Sequence, residues 1–407
     1  QANPIEITAN DTKITLLRVF RGFISKLSAN YCSLITQYSH RLPNMNHSTV
    51  LYYRKSVGPA RNEKRSRSMV SKVKENIMKV ILTSTLAVVF LTLSIGAAAQ
   101  QNWPEAIAMP NGFEGEGIEL GKGHEFFVGA NSFSSLFGSY PVSELAGAIY
   151  KGNLRTGVGD FLVSPTGKSA SGLSYDPRTD YLYAATGFGD FTDQGVTVYD
   201  ASSGDVITEI TFGDYIAIND CLVTRRAVYC TDSFNPNLYK LVLEQGGRLP
   251  STPVVEVIPM TGFEMVEGFN ANGLVGGFDG KQLVIVNITS GLLYRVDTAS
   301  GEASPLEIEG AEQLFADGDG LYLNGRTLYI MQNFSDKIAV VQLSGDLSGG
   351  EFIKNIPGEG EPNPLRVATT IIGFGNSLYA INTNFFEWLF GTTPPADIQP
   401  YVVRLRK

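Results

Sequence analysis

A pattern of about 50 residues returns six times between residue 116 and the C-terminus, and a repeat of that length constrains the fold more than any other feature of the chain. It is clearest in NDCLVTRRAVYCTDSFNPNLY, residues 219–239. A polar residue is followed by an apolar strand, a tight turn, a second strand ending in Asp, a short loop and an aromatic third strand. Units begin at Glu116, Ser171, Asn219, Asn272, Asp317 and Ala368, with spacings of 55, 48, 53, 45 and 51 residues. Within each, apolar and polar residues alternate with period two between turn formers such as DPRTD (176–180), FDGK (278–281), LNGR (323–326) and FGN (374–376). That is the signature of successive hairpins. Six such units predict an all-β, six-bladed β-propeller with four-stranded blades over residues 100–407. The sixth unit is one strand short, and residues 103–109 are the natural donor of the missing strand, which would close the ring and hide both edges.

The chain ahead of the repeats reads differently. Residues 1–99 hold 14 of the 32 Lys and Arg but 4 of the 40 Asp and Glu. The remaining 308 residues carry 18 against 36, a formal charge of −18. An acidic body of this kind repels phosphate backbones and anionic membranes, which argues against nucleic-acid binding and favours a cationic partner. From Met78 the chain runs MKVILTSTLAVVFLTLSIGAAAQ, with Lys72, Lys74 and Lys79 ahead of the apolar run and Ala97-Ala98-Ala99 after it. This is the layout of a signal peptide over residues 78–99, cleaved before Gln100, and it leaves no stable membrane insertion in the mature chain. Residues 1–77 are basic and without periodicity. They read as an unstructured, non-native leader, with the true start at Met69 or Met78.

A secreted location gives the cysteines meaning. Cys221 and Cys230 flank the Arg225-Arg226 turn symmetrically, so they face each other on neighbouring strands and predict a cross-strand disulfide. Cys32 lies in the leader. The sequons Asn287-Ile288-Thr289 and Asn333-Phe334-Ser335 mark Asn287 and Asn333 as glycosylation acceptors. Residues 131–145, rich in Ser and aromatics, replace a short loop in blade one and are placed to overhang the mouth as a lid.

In a propeller the first residue of each inner strand faces the central channel. Four of those positions carry oxygen donors, Glu116, Asn219, Asn272 and Asp317. Two carboxylates and two amide carbonyls converging on one axis suit a hard divalent cation, Ca²⁺ better than Mg²⁺, with another divalent cation as the alternative. With these residues the repeats resemble the senescence-marker-protein, gluconolactonase and regucalcin family, and more distantly diisopropylfluorophosphatase, the paraoxonases and strictosidine synthase. The resemblance implies that Glu116, Asn219, Asn272 and Asp317 hold a catalytic cation. The sequence also departs from those relatives. Gluconolactonase-like members place an Arg two residues ahead of the blade-three Asn to hold a sugar, and Ala217 stands there, which argues against sugar lactones. Paraoxonases use a His pair near the metal, whereas His124 is the one His after the signal and sits in a turn at the opposite end.

The implied function is a secreted, monomeric, Ca²⁺-dependent hydrolase of lactone, ester or phosphotriester type acting on a small molecule. Asp317 and Glu116 are the expected catalytic carboxylates, Asp317 as nucleophile or general base, with Asp232 and Glu267 in the outer shell. The alternative is a non-catalytic secreted propeller that binds a small ligand and keeps Ca²⁺ as a structural ion.

Overall fold

The computed structural model describes residues 103–407 apart from 139, 188–190, 192, 214–215 and 312–314. The leader assigned to 1–77, the signal peptide assigned to 78–99 and Cys32 lie outside the described residues. Six antiparallel sheets follow one another along the chain as the blades of a propeller. Blade one, for example, runs Gly115–Leu120, Glu125–Ala130, Ile149–Asn153 and Gly159–Val163 from the channel outward. The other inner strands are Ala170–Asp176, Ile218–Val223, Ala271–Gly276, Gly318–Asn324 and Ala368–Phe374. Blade five gains a short fifth strand, Glu307–Glu309, parallel to its outer strand Gly349–Ile356.

The ring closes as the sequence predicts. Ala106–Ala108 pairs antiparallel with the last strand, Tyr401–Arg406, so blade six is built from both ends of the described chain. Arg404 fastens this join: its backbone N–H donates to Glu105 O and its Nη1 to Trp103 O.

Because strands alternate their side chains between two faces, each blade is apolar on both and must bury them against its neighbours. The core accordingly forms six layers, one per junction. Tyr183 and Val198 of blade two meet Ile218, Val228 and Leu241 of blade three, and Ile107, Tyr379 and Val402 of blade six meet Ile118, Phe126 and Val128 of blade one. Cys221 and Cys230 are register partners inside the first of these layers, joined by a disulfide with Cα atoms 4.2 Å apart. No helix among the described residues is long and apolar enough to cross a membrane.

Every inner hairpin opens with the same irregularity. The register slips between Gly115 and Ile118, Ala170 and Leu173, Ile218 and Cys221, Ala271 and Leu274, Gly318 and Leu321, and Ala368 and Ile371. The residue just inside each slip is therefore structurally equivalent in all blades: Glu116, Ser171, Asn219, Asn272, Asp319 and Thr369. This corrects the blade-five and blade-six starts. Asp319, not Asp317, is the counterpart of Glu116, because the doubled motif Asp317-Gly318-Asp319-Gly320 offers two frames two residues apart and only the second places Leu321 in the common apolar position. The residue after the slip is Gly in four blades for a steric reason. A Cβ at Gly117 would lie 2.4 Å from Ser171 O, at Gly273 2.3 Å from Asp319 O, and at Gly320 2.6 Å from the Cα of Thr370. Adjacent inner strands touch backbone to backbone around the channel, and a side chain there has no room.

Candidate functional site

The slips tilt the equivalent residues out of the interblade layers and gather them at one end of the channel. Side-chain contacts establish the convergence. The Asn272 amide hydrogen-bonds the Asp319 carboxylate, and Glu116, Asp220 and Asp319 interact through their charges. The backbone ties the ring together as well, with Thr369 Oγ1 donating to Glu116 O across the blade six to blade one junction at 2.7 Å.

In blades one, three and five the residue just past the end of the second strand, Asn131, Ser233 or Asn333, forms a second tier that bonds a member of the first. Ser233 Oγ donates to Ala271 O at 2.7 Å, so toward Asn219 it has only a lone pair to offer. Asn219 Nδ2 donates to that oxygen at 3.1 Å, which turns Asn219 Oδ1 away from the support. Asn333 works the same way: Phe334 N–H donates to Asn333 Oδ1 at 2.6 Å, and Asn333 Nδ2 donates to Asp319 Oδ2 at 2.8 Å. Asn131 Nδ2 donates to Ser171 Oγ at 3.0 Å.

Two acceptor oxygens remain without a hydrogen-bond partner in this enclosed place, Glu116 Oε2 and Asn219 Oδ1. Their residues are 6% and 7% exposed. A buried lone pair without a donor costs free energy comparable to a lost hydrogen bond, so each such atom calls for a ligand. The electrostatics point the same way. Burial drives the Glu116 carboxyl well above the usual carboxylate range, and the charges of Asp319 and Asp220 push it further. Burial, against the bond from Asn333, brings Asp319 to about 7, and burial brings Asp220 to about 7 despite the Cys221 and Leu274 N–H groups that donate to it. Glu119 reaches about 8 through burial, with Asp220 adding to the rise. Carboxyls raised together by burial and mutual repulsion are stabilised as anions by a cation. Among the described residues no three His, Cys, Asp or Glu side chains group as a metal site, so a cation here needs the asparagine oxygens as well as the carboxylates. Glu116, Asn219, Asn272 and Asp319 could supply that set.

The remaining expected site residues fall elsewhere. Asp317, with φ of 63°, precedes the inner strand and accepts from Ser335 Oγ at 3.1 Å; it acts on Asp319 through its charge rather than standing in the ring. Asp232 is fully buried and accepts from Ala217 N–H, Phe234 N–H and Asn235 Nδ2, which pins the entry to blade three. The same repeat position does the same work in other blades, Asn382 Oδ1 accepting from Arg366 N–H and Gln332 Nε2 donating to Ala316 O. Asp232 is thus a loop clamp rather than an outer-shell group. Glu267 is exposed in the loop before blade four. Both sequon asparagines are buried: Asn287 Nδ2 donates to Glu264 O and Asn270 Oδ1, and Asn333 Nδ2 to Asp319. Neither nitrogen is presented for a glycan in the folded chain. The sequence reading missed Asp319, Asp220, Ser233 and Asn333; the last two were signalled only by the residue that follows each second strand.

No protein-family model matches the sequence, and comparison with curated proteins finds no match. Similar solved structures include the major allergen Mala s 1 of Malassezia sympodialis, 11% identical over 74% of this chain and 96% of that one, with a TM-score of 0.50. The PQQ-bound aldose sugar dehydrogenase of Streptomyces coelicolor is 13% identical over 75% and 97% of the two chains, with a TM-score of 0.45. Kuenenia stuttgartiensis hydrazine synthase is 13% identical over 77% and 98%, with a TM-score of 0.41. The first of these supports the fold, and none bears on chemistry.

Proposed function

We propose that Glu116, Asn219, Asn272 and Asp319 hold one divalent cation, Ca²⁺ by preference, and that the chain is a secreted metal-dependent hydrolase of small esters, lactones or phosphotriesters. The observation that carries this reading is the pair of unpaired buried oxygens, Glu116 Oε2 and Asn219 Oδ1, beside a second acidic residue, Asp319, that Asn333 and Asn272 hold in place. All are hard oxygen donors, and the resemblance to the senescence-marker-protein and gluconolactonase family supports Glu116, Asn219 and Asn272, with Asp319 taking the blade-five place expected of Asp317. When bound, the cation polarises the carbonyl or phosphoryl oxygen and stabilises the charge that develops on it.

The chain's own part is positioning and proton handling. Asn333 occupies Asp319 Oδ2, which fixes the carboxylate in one orientation. Asp319 is proposed as the carboxylate that takes a proton from an attacking water and returns it to the leaving group, with Glu116 as its partner across the ring. Ala217 is buried where gluconolactonase-like members carry a sugar-holding Arg, which argues against sugar lactones as substrates. The Cys221–Cys230 disulfide supports an oxidising, extracellular setting.

The second reading, a ligand-binding propeller with a structural cation, is favoured by the deep enclosure of the ring, whose four members are all buried. Metal analysis of residues 100–407 coupled to a turnover screen decides between the two. Phenyl acetate, γ-butyrolactone and diethyl 4-nitrophenyl phosphate are offered with and without chelator. The hydrolase reading predicts one bound Ca²⁺ and chelator-sensitive turnover of at least one of the three. Bound Ca²⁺ with no turnover transfers the conclusion to the binding reading, and absence of bound metal overturns both.

A further inference from the structure

Beside the ring, six phenylalanines form one aromatic layer, five from the loops after second strands, Phe137, Phe191, Phe234, Phe334 and Phe385, and Phe269 from the loop that enters blade four. Their rings form a chain, Phe191 to Phe234 at 4.8 Å, Phe234 to Phe269 at 5.3 Å, Phe269 to Phe137 at 6.1 Å, Phe137 to Phe385 at 5.7 Å and Phe385 to Phe334 at 5.6 Å. The layer is joined to the ring through the supports already described. Phe234 follows Ser233, which holds Asn219, and Phe334 donates its N–H to Asn333, which holds Asp319. The distance from a ring ligand to the aromatic layer is therefore one side chain and one residue.

A layer of this kind serves equally as a plug, and two observations separate a plug from a binding surface. Phe137, Phe234, Phe269 and Phe334 keep part of their surface exposed beside the buried Phe191 and Phe385, so the layer presents aromatic area at its surface. Backbone strain also concentrates here: Phe191 and Val367, both in the apolar clusters of this layer, adopt φ of 60° and 51°, a region that bulky and β-branched residues rarely occupy. Such strain persists at clamps that hold a ligand. Two short helices, α1 (Phe133–Phe137) and α2 (Phe385–Leu389), come from the two longest mouth loops and pack against each other across the layer.

We infer that the ligand of this site has an apolar, planar body that packs among these phenylalanines while its oxygen-bearing group reaches the ring. The inference rests on the reading of the ring as a cation site and names the class of molecule it serves. Aromatic faces and partly exposed apolar area reward an apolar body that displaces water from them more than a polyol, whose hydroxyls would lose water there without gaining hydrogen bonds.

2-Acetylnaphthalene tests this, because it carries the required carbonyl on a planar apolar body and cannot be hydrolysed. Its affinity for the Ca²⁺-loaded protein is measured by fluorescence titration, with glucono-1,5-lactone as competitor, in the wild type, Phe234→Ala, Phe334→Ala and the milder Phe234→Leu. Saturable binding is expected, unaffected by the lactone. Each alanine variant should weaken it at least tenfold with Ca²⁺ affinity and melting cooperativity retained, and Phe234→Leu should weaken it less than Phe234→Ala. Failure to bind, displacement by the lactone, or equal affinity in all folded variants overturns the inference. If the ketone binds as expected and no ester is ever turned over, the hydrolase reading falls and this inference stands. If a small aliphatic ester or lactone is turned over with Ca²⁺ while the ketone does not bind, the opposite holds.

Discussion

Asp319 and Asp317 are two residues apart, equal in charge and different in consequence. Asp319 lies inside the register slip with one oxygen held by Asn333, and Asp317 lies outside it against Ser335. Asp319→Asn should therefore lower Ca²⁺ affinity by about a hundredfold or more, since a hard cation loses a formal charge from its first shell, while Asp317→Asn should change it by about threefold or less. Calorimetric titration of the two variants checks the order, and equal effects would show that the blade-five frame is misplaced. Asn333→Ala should cost about tenfold in Ca²⁺ affinity by freeing Asp319 to rotate. Its signature is partial rescue by Asn333→Gln, which an unfolded site would not give. These residues show where sequence reading runs out. Residue type and repeat position identified Glu116, Asn219 and Asn272, because each directly precedes an unambiguous Gly-Leu, Gly-Ile or Asp-Cys step. In blade five a doubled Asp-Gly left two frames open, and only pairing of Leu321 with Ile330 resolves them. The burial of Asn287 and Asn333 was hidden for another reason: a sequon is a local pattern, and what occupies its nitrogen is decided by residues 14 to 23 positions away.

At the scale of elements, hairpin periodicity carried most of the fold, because every blade is built from local pairings between consecutive strands. The pairing that joins the two ends of the described chain, Ala106–Ala108 with Tyr401–Arg406, was legible as well, since a sixth unit lacking a strand has to borrow one; the parallel pairing of Glu307–Glu309 with Gly349–Ile356 was not. Ile107 is the buried anchor of that strand, packed with Tyr379 and Val402. Ile107→Ala should cost about 2–5 kcal/mol, read as a shift of the denaturant midpoint at constant slope. A cost below about 1 kcal/mol would mean that the closure does not hold the ring. The glycines after the slip in four blades serve backbone contact between blades. Gly273→Ala brings a methyl to 2.3 Å from Asp319 O. It should cost about 1–3 kcal/mol in stability and lower Ca²⁺ affinity together, because the atom it displaces belongs to a ring residue. Intact Ca²⁺ affinity in a destabilised Gly273→Ala would separate the strand contact from the site.

For the whole molecule, the enclosed acid cluster links stability to pH and to cation. Unfolded, these carboxyls titrate near pH 4. In the fold, Asp220 and Asp319 are held at about 7 and Glu119 at about 8, with Glu116 also raised. Between those limits the folded chain keeps protons that the unfolded chain has lost, so the stability of the cation-free protein should fall as pH rises from about 4 to about 8. Ca²⁺ replaces the protons, and its stabilising effect should be larger at pH 8 than at pH 5; melting curves at both pH values with and without Ca²⁺ check this, and a cation effect independent of pH would contradict it. The function proposed for the ring depends on where the ion sits. A crystal structure of residues 100–407 grown with Ca²⁺, read for anomalous signal, tests this most directly. One ion is predicted with Glu116 Oε2, Asn219 Oδ1, Asn272 Oδ1 and an Asp319 oxygen at about 2.3–2.6 Å. An ion bound at another place, or a ring in which Glu116 Oε2 and Asn219 Oδ1 are satisfied by water alone at saturating Ca²⁺, would contradict it.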